Sequence, residues 1–306
     1  MRWLALLAGV VVLAGCGDKY VASAAPAPEG WTFAQSMAQR RSYVAAAQVG
    51  RLIYAAGGMV GETGRPLATF QRFDPAANSW TGLERLPEPV SAAAAAAVGS
   101  TAYVIGGQRA GRVSGAQAWA YDIRHPGWRT IASLPAPRFN HSAVSLGGKL
   151  YVLGGYSGGK EHDEVFAYRP ARDHWSLVTH LPRPMHAFGA VAFRGEIWVI
   201  GGRHGERLLR DVWIFNPRTH EWRRGPAMPK RMELLGATVA GDEIHVIWES
   251  VHQVYNAGKG RWRQGPRSLV TRHALKLFYV DGALYTIGGC TTALHDSQVV
   301  ERLSLR

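Results

Sequence analysis

The sequence predicts an all-β protein: a closed ring of six four-stranded blades, a β-propeller. Three observations carry that prediction. The first is an interval. A tryptophan is followed 26 residues later by a marked position six times: Trp31 to Gly57, Trp80 to Gly106, Trp128 to Gly154, Trp175 to Gly201, Trp222 to Trp248 and Trp262 to Gly288. A fixed period of about 40–50 residues is the signature of stacked supersecondary units. The second is the make-up of each repeat, which breaks into short apolar runs separated by turn residues, the pattern of antiparallel strands. The third lies at the ends. Trp31-Thr-Phe-Ala34 reads as a fourth strand with nothing before it, while the last repeat stops after its third strand. The N-terminal strand is expected to complete the last blade and so remove the open sheet edges that invite aggregation.

The chain begins with a segment that reads as targeting rather than fold. Met1-Arg2 gives a positive start, and Leu4 to Ala14 is an apolar run too short for a permanent membrane helix. It ends in Leu13-Ala14-Gly15-Cys16, which resembles the lipobox of bacterial lipoproteins. That resemblance implies a cleaved signal over residues 1–15 and a lipid anchor on the Cys16 thiol. Gly17 stands where an aspartate would favour the inner membrane, so the resemblance implies the outer membrane, with the protein facing the periplasm. Residues 16–30 contain Ala, Pro, Ser and Gly without periodicity and read as a tether. With Cys16 lipidated, Cys290 is the only other cysteine, and no intramolecular disulfide is expected.

The formal net charge of +13 invites a reading as a nucleic-acid binder. Only six of the 35 basic residues are lysine, however, and the arginines are spread without a dense run. No nucleic acid is expected, and a monomer is.

The repeat from Trp175 shows the plan of one blade. Phe188–Phe193 and Glu196–Ile200 are two strands turned by Arg194-Gly195. His204 to Leu209 is a polar loop, Asp211–Phe215 a third strand, and Trp222 opens the fourth. An aromatic sits seven residues before each later tryptophan, at Phe73, Tyr121, Tyr168, Phe215 and Tyr255, where flat rings can pack between blades. Paired glycines mark where the chain leaves the second strand by a route that a Cβ would obstruct. The six alanines from Ala92 favour helix by propensity. Their place in the repeat is the innermost strand, which crowds the axis and needs small side chains, so a strand is expected.

The Gly-Gly after an apolar strand, the aromatic followed by Asp/Asn-Pro and the spaced tryptophan together resemble Kelch repeats. The resemblance covers residues 31–306 and implies a six-bladed Kelch-type β-propeller whose last blade the N-terminal strand closes. It implies a binding or interaction module, here for a glycan or protein partner at the cell envelope. The sequence is also loosely similar to the bacterial sialic acid mutarotases (N-acetylneuraminate epimerases), secreted six-bladed Kelch propellers. On that resemblance Glu206 and Arg210 would serve as catalytic base and anion clamp. Their spacing is closer than in that family, and the short loops offer no lid.

The connections into the first strands and the loops after the second strands share one face. The connections supply Arg41, Arg138, His141, His186, Arg272 and His273, and the loops supply Arg203, Trp248 and Glu249. Arg41, Arg138 and Arg272 each fall ten residues after a tryptophan, so three blades are expected to present arginine to one mouth. Guanidinium groups suit carboxylates and phosphates, which points to an anionic partner. In the fifth blade the glycines are replaced by Trp248-Glu249 and the loop is cut to a tight hairpin. Trp248 there is either a stacking platform for a sugar ring or a filler of the space left by the missing loop. Lys276 replaces the small residue of the other innermost strands and needs water or a partner. Glu161-His-Asp-Glu164 offers metal-capable side chains, but neighbours on one loop rarely converge on one ion. No metal and no cofactor is expected.

Overall fold

The computed structural model describes residues 30–61, 64–292 and 295–305. The signal segment, Cys16 and the tether as far as residue 29 lie outside the described residues. The ring forms as the repeat demands. Blade one comprises Ala45–Val49, Leu52–Ala56, Phe70–Asp74 and Ser79–Gly82, and blade two Ala94–Val98, Thr101–Gln108, Ser114–Asp122 and His125–Ile131. Blade three comprises Ser142–Leu146, Lys149–Leu153, Glu164–Arg169 and His174–His180, and blade four Gly189–Phe193, Glu196–Ile200, Val212–Asn216 and Glu221–Arg224. Blade five comprises Gly236–Ala240, Glu243–Trp248, Val251–Asn256 and Arg261–Gln264. Blade six takes Lys276–Val280, Ala283–Ile287 and Val300–Ser304, and its fourth strand is Trp31–Ala34, paired antiparallel with Trp31 opposite Leu303. The N-terminal strand therefore closes the ring.

Each blade is fastened to its neighbours at two radii. At the outer edge, the aromatic before each tryptophan faces it across the third and fourth strands, with ring centroids 5.0 Å apart for Phe73 and Trp80 and 4.9 Å for Tyr168 and Trp175. The indole then reaches the end of the preceding blade. Nε1 donates to Gln35 from Trp80 (2.8 Å), to Glu84 from Trp128 (3.1 Å) and to Ala132 from Trp175 (2.7 Å), in each case to the backbone carbonyl. Trp262 and Trp31 do the same to Pro226 and Pro266. Trp222 Nε1 is buried without a partner.

Nearer the axis the glycine pairs do the fastening. Gly57 and Gly58 have φ of 61° and 96°. The Gly58 amide donates to the Val90 carbonyl of the next blade at 2.9 Å, and a Cβ on Gly57 would lie 2.3 Å from that same oxygen. Gly107 to Arg138, Gly155 to Met185 and Gly202 to Met232 repeat the bond. The glycines are thus demanded by close approach as well as by positive φ.

The alanine run forms a strand at Ala94–Val98, as its place in the repeat requires and against its helix propensity. The expected polar loop from His204 to Leu209 is instead a small hairpin, Arg203–His204 paired with Arg207–Leu208. Blades one, three and six carry similar hairpins, and blade two extends its second and third strands. Blade five turns directly from Trp248 to Val251.

Candidate functional site

Two concentric rings of residues build the mouth on the glycine-pair face. The inner ring lies twelve residues after each tryptophan: Tyr43, Ala92, Asn140, Ala187, Leu234 and Ala274, all with φ between 48° and 57°. Left-handed backbone at six non-glycine positions persists only where surrounding structure enforces it. Here a chain of hydrogen bonds does so. Ala92 N donates to Tyr43 O, Asn140 N to Ala92 O, Ala187 N to Asn140 O, Leu234 N to Ala187 O and Ala274 N to Leu234 O, at 2.6–3.0 Å. These five bonds form a hoop, open between blades six and one, that ties blade to blade around the axis.

The outer ring pairs each entry segment with the chain that leaves the second strand. Ser42 bridges Met59, Ser91 bridges Gln108, Phe139 bridges Tyr156, His186 bridges Arg203 and His273 bridges Cys290. Blades one and two thus carry small or neutral side chains there. Blade two adds an Arg109–Glu88 pair 3.6 Å apart, and the denser ionisable network lies in the sector from blade three to blade six. Glu161 joins two histidines of blade four, with Oε1 3.1 Å from His186 Nδ1 and Oε2 2.8 Å from His204 Nδ1, and it also accepts from Gly205 N at 2.8 Å. Arg203 holds Glu233 of blade five through two bonds of 2.5 and 2.6 Å. That fork raises the Arg203 pKa. Burial lowers the pKa of His186, partly offset by Glu161, and lowers that of His273, partly offset by Glu249 and Glu233. The Tyr156 ring meets Phe139 edge-on at 5.6 Å and His186 at a tilt at 5.2 Å. Tyr43 reaches this sector from blade one: burial pushes its phenol up to about 12, and Cys290, Glu233 and Asp296 add to the shift.

The three arginines expected at the mouth are not there. Arg41, Arg138 and Arg272 are all 0% exposed, folded back into their own blades. In each, Nη1 donates to the carbonyl of the first glycine position: Gly57 at 2.9 Å, Gly154 at 2.9 Å and Gly288 at 2.7 Å. Nη2 reaches the third strand, at Gln71 Oε1 (2.9 Å), Glu164 Oε2 (3.3 Å) and Glu301 Oε2 respectively. Arg138 also lies 5.1 Å over the Phe166 ring. Burial lowers the Arg41 pKa to about 10, since its partner is a neutral amide. The arginines brace the strands whose carbonyls the glycine turns leave unpaired, so they cannot hold an external anion.

The other expected positions divide. His186, Arg203 and His273 lie in the ionisable sector. Glu249 forms the blade-five turn at φ 54°, and Trp248 packs half-buried against the cluster that includes Met232 and Leu235. Glu206 is exposed at the tip of the Arg203–Leu208 hairpin, and Arg210 is exposed beyond it. His141 and Lys276 lie deeper, on the wall of the axial channel. Cys290 is buried, its thiol pushed up to about 12 by burial, and Sγ lies 3.1 Å from His273 Nε2. No cluster of metal ligands occurs among the described residues.

Glu233, Tyr43 and Tyr156 were not singled out as site residues from sequence. Their signal was the repeat register: Glu233 shares its place with His186 and His273, eleven residues after a tryptophan, and Tyr156 shares its place with Arg203 and Cys290.

A comparison with curated proteins found no match to this sequence. The family model of the KLHDC2/KLHL20/DRC7 Kelch-repeats domain matches residues 43–247, from the mouth of blade one into the second strand of blade five. With six blades, paired glycines and stapling tryptophans on the same register, the chain belongs to the Kelch-repeat family.

Proposed function

We propose that this propeller is an interaction module of the bacterial cell envelope, tethered through lipidated Cys16, that holds a glycan or protein partner in the mouth on its glycine-pair face. The observation that supports this most is the lopsided rim. Aromatic edges (Phe139, Tyr156) and hydrogen-bonding groups (Glu161, His186, Arg203, Glu233, His273) adjoin in one sector of a concave mouth, while Ser42 and Ser91 line the other. A concave surface with a few placed polar groups and aromatic faces is the usual form of a recognition site. The anionic preference expected from the three arginines falls away, because those guanidinium groups are consumed inside the blades and Arg203 is already neutralised by Glu233.

The test is site-specific photo-crosslinking in intact cells. A benzophenone amino acid at Glu206 or Arg207, on the mouth face, should capture a partner. The same group at Arg172 or Arg218, in the turns of the opposite face, should not. Capture from the opposite face alone would refute the assignment. The anchor has its own test: mass spectrometry of the N-terminal peptide from native membranes should show diacylated Cys16, and an unmodified N-terminus near Ala25 would refute it.

A further inference from the structure

The innermost strands enclose an axial channel of about 470 Å³, separate from the outer rim and lying beneath the hoop of left-handed residues. Its wall is largely alanine, valine and leucine, with a few neutral polar side chains such as Gln48, Asn140 and Thr238. Among the described residues no aspartate or glutamate lines it. One cation does. Lys276 opens the first strand of blade six, where blades one and two carry Ala45 and Ala94. No hydrogen bond or ion pair of its ammonium is found among the described residues, and the side chain is partly buried in the channel wall. Burial accordingly lowers its pKa.

The blade diametrically opposite, blade three, contributes His141. It is only 6% exposed, and its ring packs on blade two, where a Cβ on Gly106 would lie 2.8 Å from Cε1. Burial lowers its pKa to about 3, and Arg138 and Lys276 push the same way, so the ring is neutral and adds no second charge to the wall. An ammonium on an apolar wall without a protein partner is costly, and an acceptor in the channel satisfies it.

We infer that the channel is a binding site for a small organic anion with an apolar body, a monocarboxylate, whose charged end sits against the Lys276 ammonium and whose body lies along the alanine-lined wall. The volume is in the range of small-molecule sites, and the missing carboxylate on the wall is supplied by the ligand. The reading of the mouth as a partner site stands or falls separately, since no rim side chain named there takes part.

The experiment is calorimetric titration of the full chain with hexanoate, and with hexanamide as its uncharged isostere. Hexanoate should bind saturably at one site, and hexanamide about 10-fold or more weakly, the scale for one charged hydrogen bond. Lys276→Met should reduce hexanoate affinity by a similar factor. A second readout needs no variant. After reductive ¹³C-methylation of the six lysines, the Lys276 resonance should shift with hexanoate and stay unmoved by hexanamide. Absence of saturable hexanoate binding, equal affinity of Lys276→Met, or an unmoved Lys276 resonance would each overturn the inference.

Discussion

Replacing Arg272 with methionine isolates what the buried arginines do. Arg272 and Glu301 are both 0% exposed. The guanidinium donates to the carbonyls of Gly288 and Val299, each at 2.7 Å, to Thr286 Oγ1 at 2.7 Å and to Glu301 Oε2. The other carboxylate oxygen accepts from Leu269 N (2.6 Å) and Val270 N (3.0 Å), so both carboxylate oxygens are bonded, while Arg272 Nε has no partner. Methionine restores much of the volume but strands a buried carboxylate, a loss of about 3–5 kcal/mol. Arg41→Met is the matched control. Its partner Gln71 is neutral, so no charge is stranded, and the orphaned carbonyls of Gly57 and Thr69 set a cost of about 1–3 kcal/mol. Urea denaturation followed by tryptophan fluorescence should rank Arg272→Met below Arg41→Met by about 2 kcal/mol. In thermal melts the Arg272→Met loss should appear as roughly 6–20 °C, at about 2–4 °C per kcal/mol. Equal losses, or an Arg272→Met variant within about 1 kcal/mol of wild type, would show that the buried ion pair does not carry the strand bracing assigned to it.

Deleting residues 31–36 should leave blade six with three strands and an open edge; a truncated protein that melts as cooperatively and as high as the intact one would contradict the closure. The ring should also weaken in acid. His245 and His252, 3.0 Å apart and buried in blade five, are held neutral by burial, with pKa values lowered to about 4 and about 3. The unfolded chain takes up protons below about pH 6.5 while the folded pair does not, so stability falls from there to about pH 4 by up to about 1.4 kcal/mol per pH unit for each histidine. Denaturation curves at pH 7, 6 and 5 should flatten against pH in the His245→Phe/His252→Phe double variant, and parallel pH dependences would count against this. Trp262→Phe loses an inter-blade hydrogen bond and should cost about 1 kcal/mol more than Trp222→Phe, whose indole has none; equal melts would deny the indole staples their role.

The ring, its blade count and its closure were legible because they rest on register, and register survives any choice of side-chain rotamer. The glycine pairs were legible for the same reason, since a position that admits no Cβ announces itself in sequence. The arginines misled because ten residues after a tryptophan fixes where the backbone stands and says nothing of where the side chain turns. Their true partners, Glu164 and Glu301, lie on third strands, and only the folded blade brings them within reach. The sector from Glu161 to His273 draws on four blades, and no local pattern reports a juxtaposition made by closing a circle.

The short turn of blade five bears on the shape any partner can have. Blades one, three, four and six raise small hairpins around the mouth and blade two raises a longer ribbon, while Glu249-Ser250 leaves blade five low. The wall therefore has one notch, beside the Arg203–Glu233 fork. A compact guest can settle in the bowl from above, but a long one, whether polysaccharide or peptide, has a single low sill to lie across. Such a guest would be threaded in one fixed direction, with Glu249 and the half-open ring of Trp248 at the threshold.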